Sequence, residues 1–192
     1  MILAGLACAS ALKIGVAPMA GARSGAISMA SDIVGTAASL QGPEIFWGSE
    51  GVELGHEESE IKGYDNFGKF VAALKDAGLD KTLSGAGPYT VFAPSDQAFE
   101  DFQGTVTADI LKYHVVEGKI TSDAISGDLK TLQGGSLKYD RRFRKTFLDG
   151  AMVGNKSAGP SKSQNWPCDV ECSNGVIHSI DKVLAPGAYT GE

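Results

Sequence analysis

The residues of this chain able to do acid–base, nucleophilic or metal chemistry are few. They are His114 after Tyr113, His178 and Ser179 ahead of Asp181, Cys168 and Cys172 four positions apart, and Asp96 behind Ser95. Ser179, His178 and Asp181 have the types of a nucleophile, a base and an orienting acid, but neighbours along one strand alternate between its faces and cannot converge on one substrate atom. No nucleophile has a motif around it, so an enzyme is not expected. His114 falls at a helix-to-strand corner, where an imidazole can tie two backbone segments by hydrogen bonds. Tyr113, His114, His178 and Asp181 are therefore assigned structural roles. Asp96 follows Pro94 and Ser95 where a strand gives way to a helix, and reads as a capping or turn residue.

The cysteines suggest thiols without a metal. If residues 168–172 are extended, Cys168, Val170 and Cys172 share one face while Asp169 and Glu171 point to the other. The cysteine Cα atoms would then lie about 13 Å apart, beyond disulfide reach. A zinc site joining them to His178 would lack a fourth ligand. Buried thiols are the expectation, and no cofactor is expected. Cys8 could carry a lipid or chromophore, with nothing further to support it. Asn155-Lys156-Ser157 is a glycosylation sequon, relevant only in a secretory compartment.

One run is shaped for recognition. Lys138-Tyr-Asp-Arg-Arg-Phe-Arg-Lys145 holds five bases and one acid in a chain whose formal charge is −6. Either it is a solvated turn, or it docks on an acidic protein surface, with Tyr139 and Phe143 as contact area and Arg141, Arg142, Arg144 and Lys145 as the charges that meet carboxylates. Nucleic acid is the poorer partner, because the rest of the chain repels phosphate.

The elements that must position these residues follow from the 192-residue pattern, 43% apolar and 21% charged, which suits one domain and an appendage. Residues 1–31 carry Lys13 and Arg23 and no acid, a composition that fits an organelle targeting segment or an apolar tail packed on a partner. Met1–Leu12 is too short to span a bilayer, which takes about 20 apolar residues. Residues 44–65 hold seven acids against Lys62 alone, and Phe46 and Trp47 sit there as aromatic anchors that pack either in cis or on a partner. From Phe67 the apolar residues fall at helical spacing, predicting a helix over about 66–77 that Gly78 stops. A strand over Tyr89–Ala93, short helices after Asp96 and from Asp109, and β-hairpins to Val183 follow, with Asp-Gly and Asn-Gly turns. Helices first and hairpins later imply an α+β domain. The expected divisions are 1–39, an acidic arm at 40–63, the domain at 64–186 and a tail at 187–192.

Three runs carry a resemblance: Thr90-Val-Phe-Ala-Pro-Ser-Asp-Gln-Ala-Phe99, Leu111-Lys-Tyr-His-Val-Val-Glu-Gly-Lys119 and Asn174-Gly-Val-Ile-His-Ser-Ile-Asp-Lys-Val-Leu184. In that order they resemble the signatures of the fasciclin domain, over about Tyr64–Pro186. Two departures are a stretch between Phe99 and Tyr113 shorter than the family's and the charged insertion near 138–145. The resemblance implies a fasciclin-like fold, small N-terminal helices packed on a β-rich wedge of hairpins, and a non-enzymatic module for adhesion and protein–protein contact. The layout of leader, acidic arm and single domain is similar to that of the fasciclin-bearing linker proteins of red-algal phycobilisomes. That likeness implies a plastid, thylakoid-associated linker whose partners are phycobiliproteins or other linkers of a multi-subunit complex. The alternative is a secreted or cell-surface adhesion protein.

Overall fold

Two apolar strands organise the molecule. Strand β3 (Tyr89–Pro94) and strand β11 (Gly175–Ile180) are buried along almost their whole length and pair in parallel, Ile177 opposite Val91 and His178 opposite Phe92. Apolar runs without polar alternation are what a strand covered on both faces requires. The computed structural model describes residues 31–46, 55, 61–85, 87–154 and 166–188. Around the central pair, β4 (Val115–Glu117) lies antiparallel to β3, and β10 (Val170–Cys172) lies antiparallel to β11, giving the order β10-β11-β3-β4.

Because successive side chains leave opposite faces, this sheet divides two cores. Val91, Ala93 and Ile177 face a helical layer with Ile33, Phe67, Phe70, Leu74, Leu83 and Leu111. Phe92 and Ile180 face the other way, onto Tyr113, Leu137, Leu148, Val153 and Leu184. The helical layer consists of α1 (Ile33–Ser39), α2 (Gly68–Asp76), α3 (Asp80–Leu83), α4 (Asp96–Asp101) and α5 (Ala108–Tyr113). The opposite layer is two small antiparallel units: β5 (Leu129–Lys130) with β6 (Ser136–Leu137), and a meander of β7 (Tyr139–Arg142), β8 (Lys145–Leu148) and β9 (Ala151–Met152). The fold is α+β, with helices on one face of the sheet and hairpins on the other.

The packed unit begins earlier than residue 64. Asp32 caps α1 by accepting from Gly35 N–H at 2.9 Å, and Ile33, Val34 and Ala37 are buried in the helical core. Strand β1 (Gln41–Phe46) then pairs antiparallel with β2 (Ile61–Asn66). Both ends of the expected acidic arm are thus paired backbone, and residues 33–39, expected in an appendage, fill the core. Gly42 permits the pairing, since a Cβ there would fall 1.7 Å from the Asp65 carbonyl oxygen. Asn174 fastens α1 to the sheet: its Oδ1 accepts from Ile33 N–H at 3.0 Å and its side-chain amide donates to the Leu83 carbonyl. Gly175 beside it must lack a side chain, because a Cβ would lie 2.0 Å from the Tyr89 carbonyl oxygen. The segment expected as one strand over 168–172 is extended only from Val170; Asp169 has φ +53 and breaks it.

Candidate functional site

Asp96 and Asp65 form a reciprocal pair of caps that lies beyond local sequence reading. Ser95 caps α4 by accepting from Ala98 N–H at 3.2 Å, while Asp96 reaches across to accept from Lys69 N–H of α2 at 2.7 Å. Asp65 accepts in return from Gln97 N–H of α4 at 3.1 Å. Each helix start is closed by a carboxylate beside the other, favoured both by hydrogen bonding and by the helix dipole.

His114 and His178 are equally buried and differently used. His114 donates from Nδ1 to the Ile110 carbonyl at 2.8 Å and accepts at Nε2 from Leu184 N–H at 2.9 Å, joining α5 to the segment after β11. Both nitrogens are satisfied by the neutral ring, and burial drives the pKa down to about 4 despite the hydrogen bond to Ile110. His178 stacks on Phe92 with ring centroids 5.5 Å apart and donates from Nε2 to the Ile120 carbonyl at 2.8 Å. Its Nδ1 lies 3.5 Å from Cys168 Sγ, 3.3 Å from the amide nitrogen of Asp169 and 3.7 Å from an Asp169 carboxylate oxygen. Extended geometry put Asp169 on the face away from Cys168; its left-handed backbone instead gathers both beside one ring. Cys168 and Cys172 are half-buried rather than buried. Burial is the main cause that raises the Cys172 thiol pKa.

Ser179 and Asp181 complete the sequence candidates along this strand. Ser179 donates from Oγ to the Pro167 carbonyl at 2.6 Å, so its hydroxyl is held away from the imidazole next to it. Asp181 accepts from Met152 N–H at 2.7 Å, tying β9 to the end of β11, and burial raises its pKa above the usual carboxylate value. Tyr113 donates from its hydroxyl to Asp149 at 2.7 Å and to the Ser136 carbonyl at 3.1 Å. Burial, then the Asp149 carboxylate, pushes the phenol well above its ordinary pKa. These groups support the fold, and no nucleophile–base pair aimed at a cleft is formed by Ser179, His178 and Asp181.

The basic run is the hairpin β7–β8. Arg142 pairs with Lys145 across the ladder, and Phe143 and Arg144 make the two-residue turn with φ +50 and +63. Phe143 is 94% exposed, while Arg141, Arg142 and Arg144 are exposed and Lys145 is half-buried. Not all five charges are available to a partner. Arg142 Nε is bonded to the Asp140 carboxylate, and Lys138 pairs with Asp128 at 2.8 Å. Arg141 and Arg144 line a recess with Ser122, Asp123 and Thr146. Tyr139, expected at the contact surface, is half-buried against the hairpin-side core.

Phe46 lies in β1 opposite Ile61; its side chain, and Trp47 entirely, lie outside the described residues, as do Cys8 and Asn155. The same ribbon exposes Ile45 and Tyr64, which belong to the apolar and aromatic positions of the acidic stretch, together with Ile61. Among the described residues no helix is long and apolar enough to cross a membrane.

Comparison with known proteins agrees with the signatures. The fasciclin domain family model matches residues 65–186. Protein sll1483 of Synechocystis is 39% identical over 137 residues, covering 65% of this chain and 69% of that protein. The transforming growth factor-beta-induced protein ig-h3 of Sus scrofa is 34% identical over 140 residues, covering 67% of this chain and 19% of its own length. The cell surface glycolipoprotein MPB83 of Mycobacterium bovis is 30% identical over 124 residues, covering 59% of this chain and 50% of its own. This chain therefore spans about a fifth of ig-h3 and half of MPB83. A solved FAS1 domain pair from the insect cell adhesion molecule fasciclin I matches 62% of this chain and 47% of that one, at 19% identity and a TM-score of 0.44. With its signatures in order and the family model spanning most of the chain, this protein belongs to the fasciclin domain family.

Proposed function

We propose that this chain is a non-enzymatic protein-contact module that docks on an acidic protein surface through the tip of its basic hairpin, as a structural component of a larger assembly. The observation that carries the reading is Phe143: a large aromatic residue, 94% exposed, held in a left-handed turn between arginines. Its exposure offers apolar area that a partner can bury, and the exposed guanidiniums of Arg141 and Arg144 supply planar, bidentate donors for carboxylates. The chain's net charge of −6, carried by residues outside this hairpin, favours protein over nucleic acid as the partner.

The relatives support the secreted or cell-surface alternative better than the antenna-linker reading, because MPB83 carries the description of a cell surface glycolipoprotein. The linker and plastid reading has the layout of residues 1–66 behind it, much of which lies outside the described residues. Mass spectrometry of the mature chain separates the two: a glycan on Asn155 supports secretion, and an unmodified Asn155 in a chain starting near residues 25–40 supports the organelle. For docking itself, Arg141→Glu with Arg144→Glu should abolish recovery of the native complex, and the wild-type interaction should weaken as salt rises. A complex that survives both changes would assign the tip to solvent.

A further inference from the structure

We propose that Cys168, Asp169 and His178 form a zinc site, with the thiolate, one carboxylate oxygen and Nδ1 as three ligands and water as the fourth. This inference is independent of the docking reading. The three ligand atoms all lie within 4.8 Å of one another. Zinc bonds of about 2.3 Å to sulfur and 2.0 Å to nitrogen at a tetrahedral angle place S and N about 3.5 Å apart. Cys168 Sγ and His178 Nδ1 are 3.5 Å apart, and Nδ1 is 3.7 Å from the Asp169 carboxylate oxygen.

The surroundings support each ligand as metal sites require. The Nε2–H of His178 donates to the Ile120 carbonyl at 2.8 Å, which fixes the tautomer that leaves the Nδ1 lone pair toward Cys168 and Asp169. The Asp169 carboxylate accepts from both the amide and the hydroxyl of Ser122, each at 2.6 Å, so its orientation is set in advance. The ion would displace the long 3.3 Å hydrogen bond from the Asp169 amide to Nδ1 and the 3.5 Å contact between Nδ1 and Cys168 Sγ. One thiolate with one imidazole selects zinc over magnesium or calcium. The thiol gives up its proton to solvent as the Zn–S bond forms, so affinity rises with pH. The bound ion would fasten residues 168–169 to β11 and to the turn at Ser122.

The test titrates Zn2+ alone into the purified full chain against a chromophoric chelator, and records Co2+ absorption in parallel. The site predicts one ion per chain and a thiolate-to-cobalt charge-transfer band. Cys168→Ser should remove the band and weaken zinc by at least about tenfold; Ser122→Ala, which spares every ligand, should weaken it about tenfold. Cys172→Ser should change neither. Unfolding midpoints measured with excess chelator separate lost ligation from lost fold, and the Ser122→Ala variant keeps the test valid if Cys168→Ser is destabilised. Absence of zinc binding by the wild-type chain, retained affinity in Cys168→Ser, or loss of the band in Cys172→Ser would each overturn the proposal.

Discussion

Two turns of one three-stranded meander have the same backbone geometry and opposite chemistry. Between β8 and β9, Asp149 and Gly150 adopt φ +46 and +77, the left-handed pair that a two-residue hairpin needs and that Asp-Gly adopts readily. Between β7 and β8, the corresponding places are taken by Phe143 and Arg144, side chains that the left-handed region disfavours. The first turn faces inward: Asp149 accepts from the Tyr113 hydroxyl at 2.7 Å and from Lys138 N–H at 2.7 Å. The second faces outward, with Phe143 94% exposed and Arg144 exposed beside it. Unfavourable turn residues, one of them a solvated phenylalanine, are what the proposed contact surface would require if the sequence served contact there at the expense of stability.

If that contrast is right, changes to the buried side should move stability and spare binding. The largest effect belongs to His114. The unfolded chain takes up this proton near pH 6.5 and the folded chain only near 4, so the contribution is full above 6.5 and declines as pH falls toward 4. The span corresponds to about 3 kcal/mol, read from urea unfolding across that range as the difference between wild type and His114→Gln. Asp181, raised by burial, pulls the opposite way at lower pH and is common to both proteins. Next, Asp149→Ala should cost about 2 kcal/mol by removing the carboxylate that accepts from the Tyr113 hydroxyl and the Lys138 amide, without changing partner affinity.

The display turn should behave in the reverse manner. Replacing Phe143-Arg144 by Asn-Gly should stabilise the domain by about 1 kcal/mol, as relief of two left-handed side chains requires, while weakening docking. An unchanged or lowered unfolding midpoint would show that Phe143 and Arg144 contribute to the fold after all. The smallest effect is that of Arg141→Glu with Arg144→Glu on stability, expected within about 0.5 kcal/mol because both side chains are exposed.

What could be read from the sequence was whatever is local and periodic. The helical stripe Phe70, Val71 and Leu74 and the β-rich run at Tyr89–Pro94 specify their own structure, and the Asp149-Gly150 and Asn174-Gly175 steps announce their turns. Helix α1 was hidden because Ile33–Ser39 carries no charge and merges with the apolar leader, although Asp32 before an apolar pair was a readable N-cap. The crossed caps Asp65–Gln97 and Asp96–Lys69 join residues 32 and 27 positions apart, a relation no local pattern encodes. The grouping of Cys168, Asp169 and His178 was missed because it depends on one non-glycine residue leaving the β region. Alternation assumed an unbroken strand there, and the left-handed φ of Asp169 reverses the faces.

The central claim, that the hairpin tip is a contact surface, is tested most directly by a photoreactive phenylalanine analogue at position 143. The probe is carried by the full chain in a native extract, and the same analogue at exposed Ser126 is the reference. The account predicts one dominant adduct at 143, mapped to an acidic segment of a partner, diminished by salt and lost with Arg141→Glu and Arg144→Glu. Adducts at 143 no more abundant than at 126, or undiminished by the charge reversals, would contradict it.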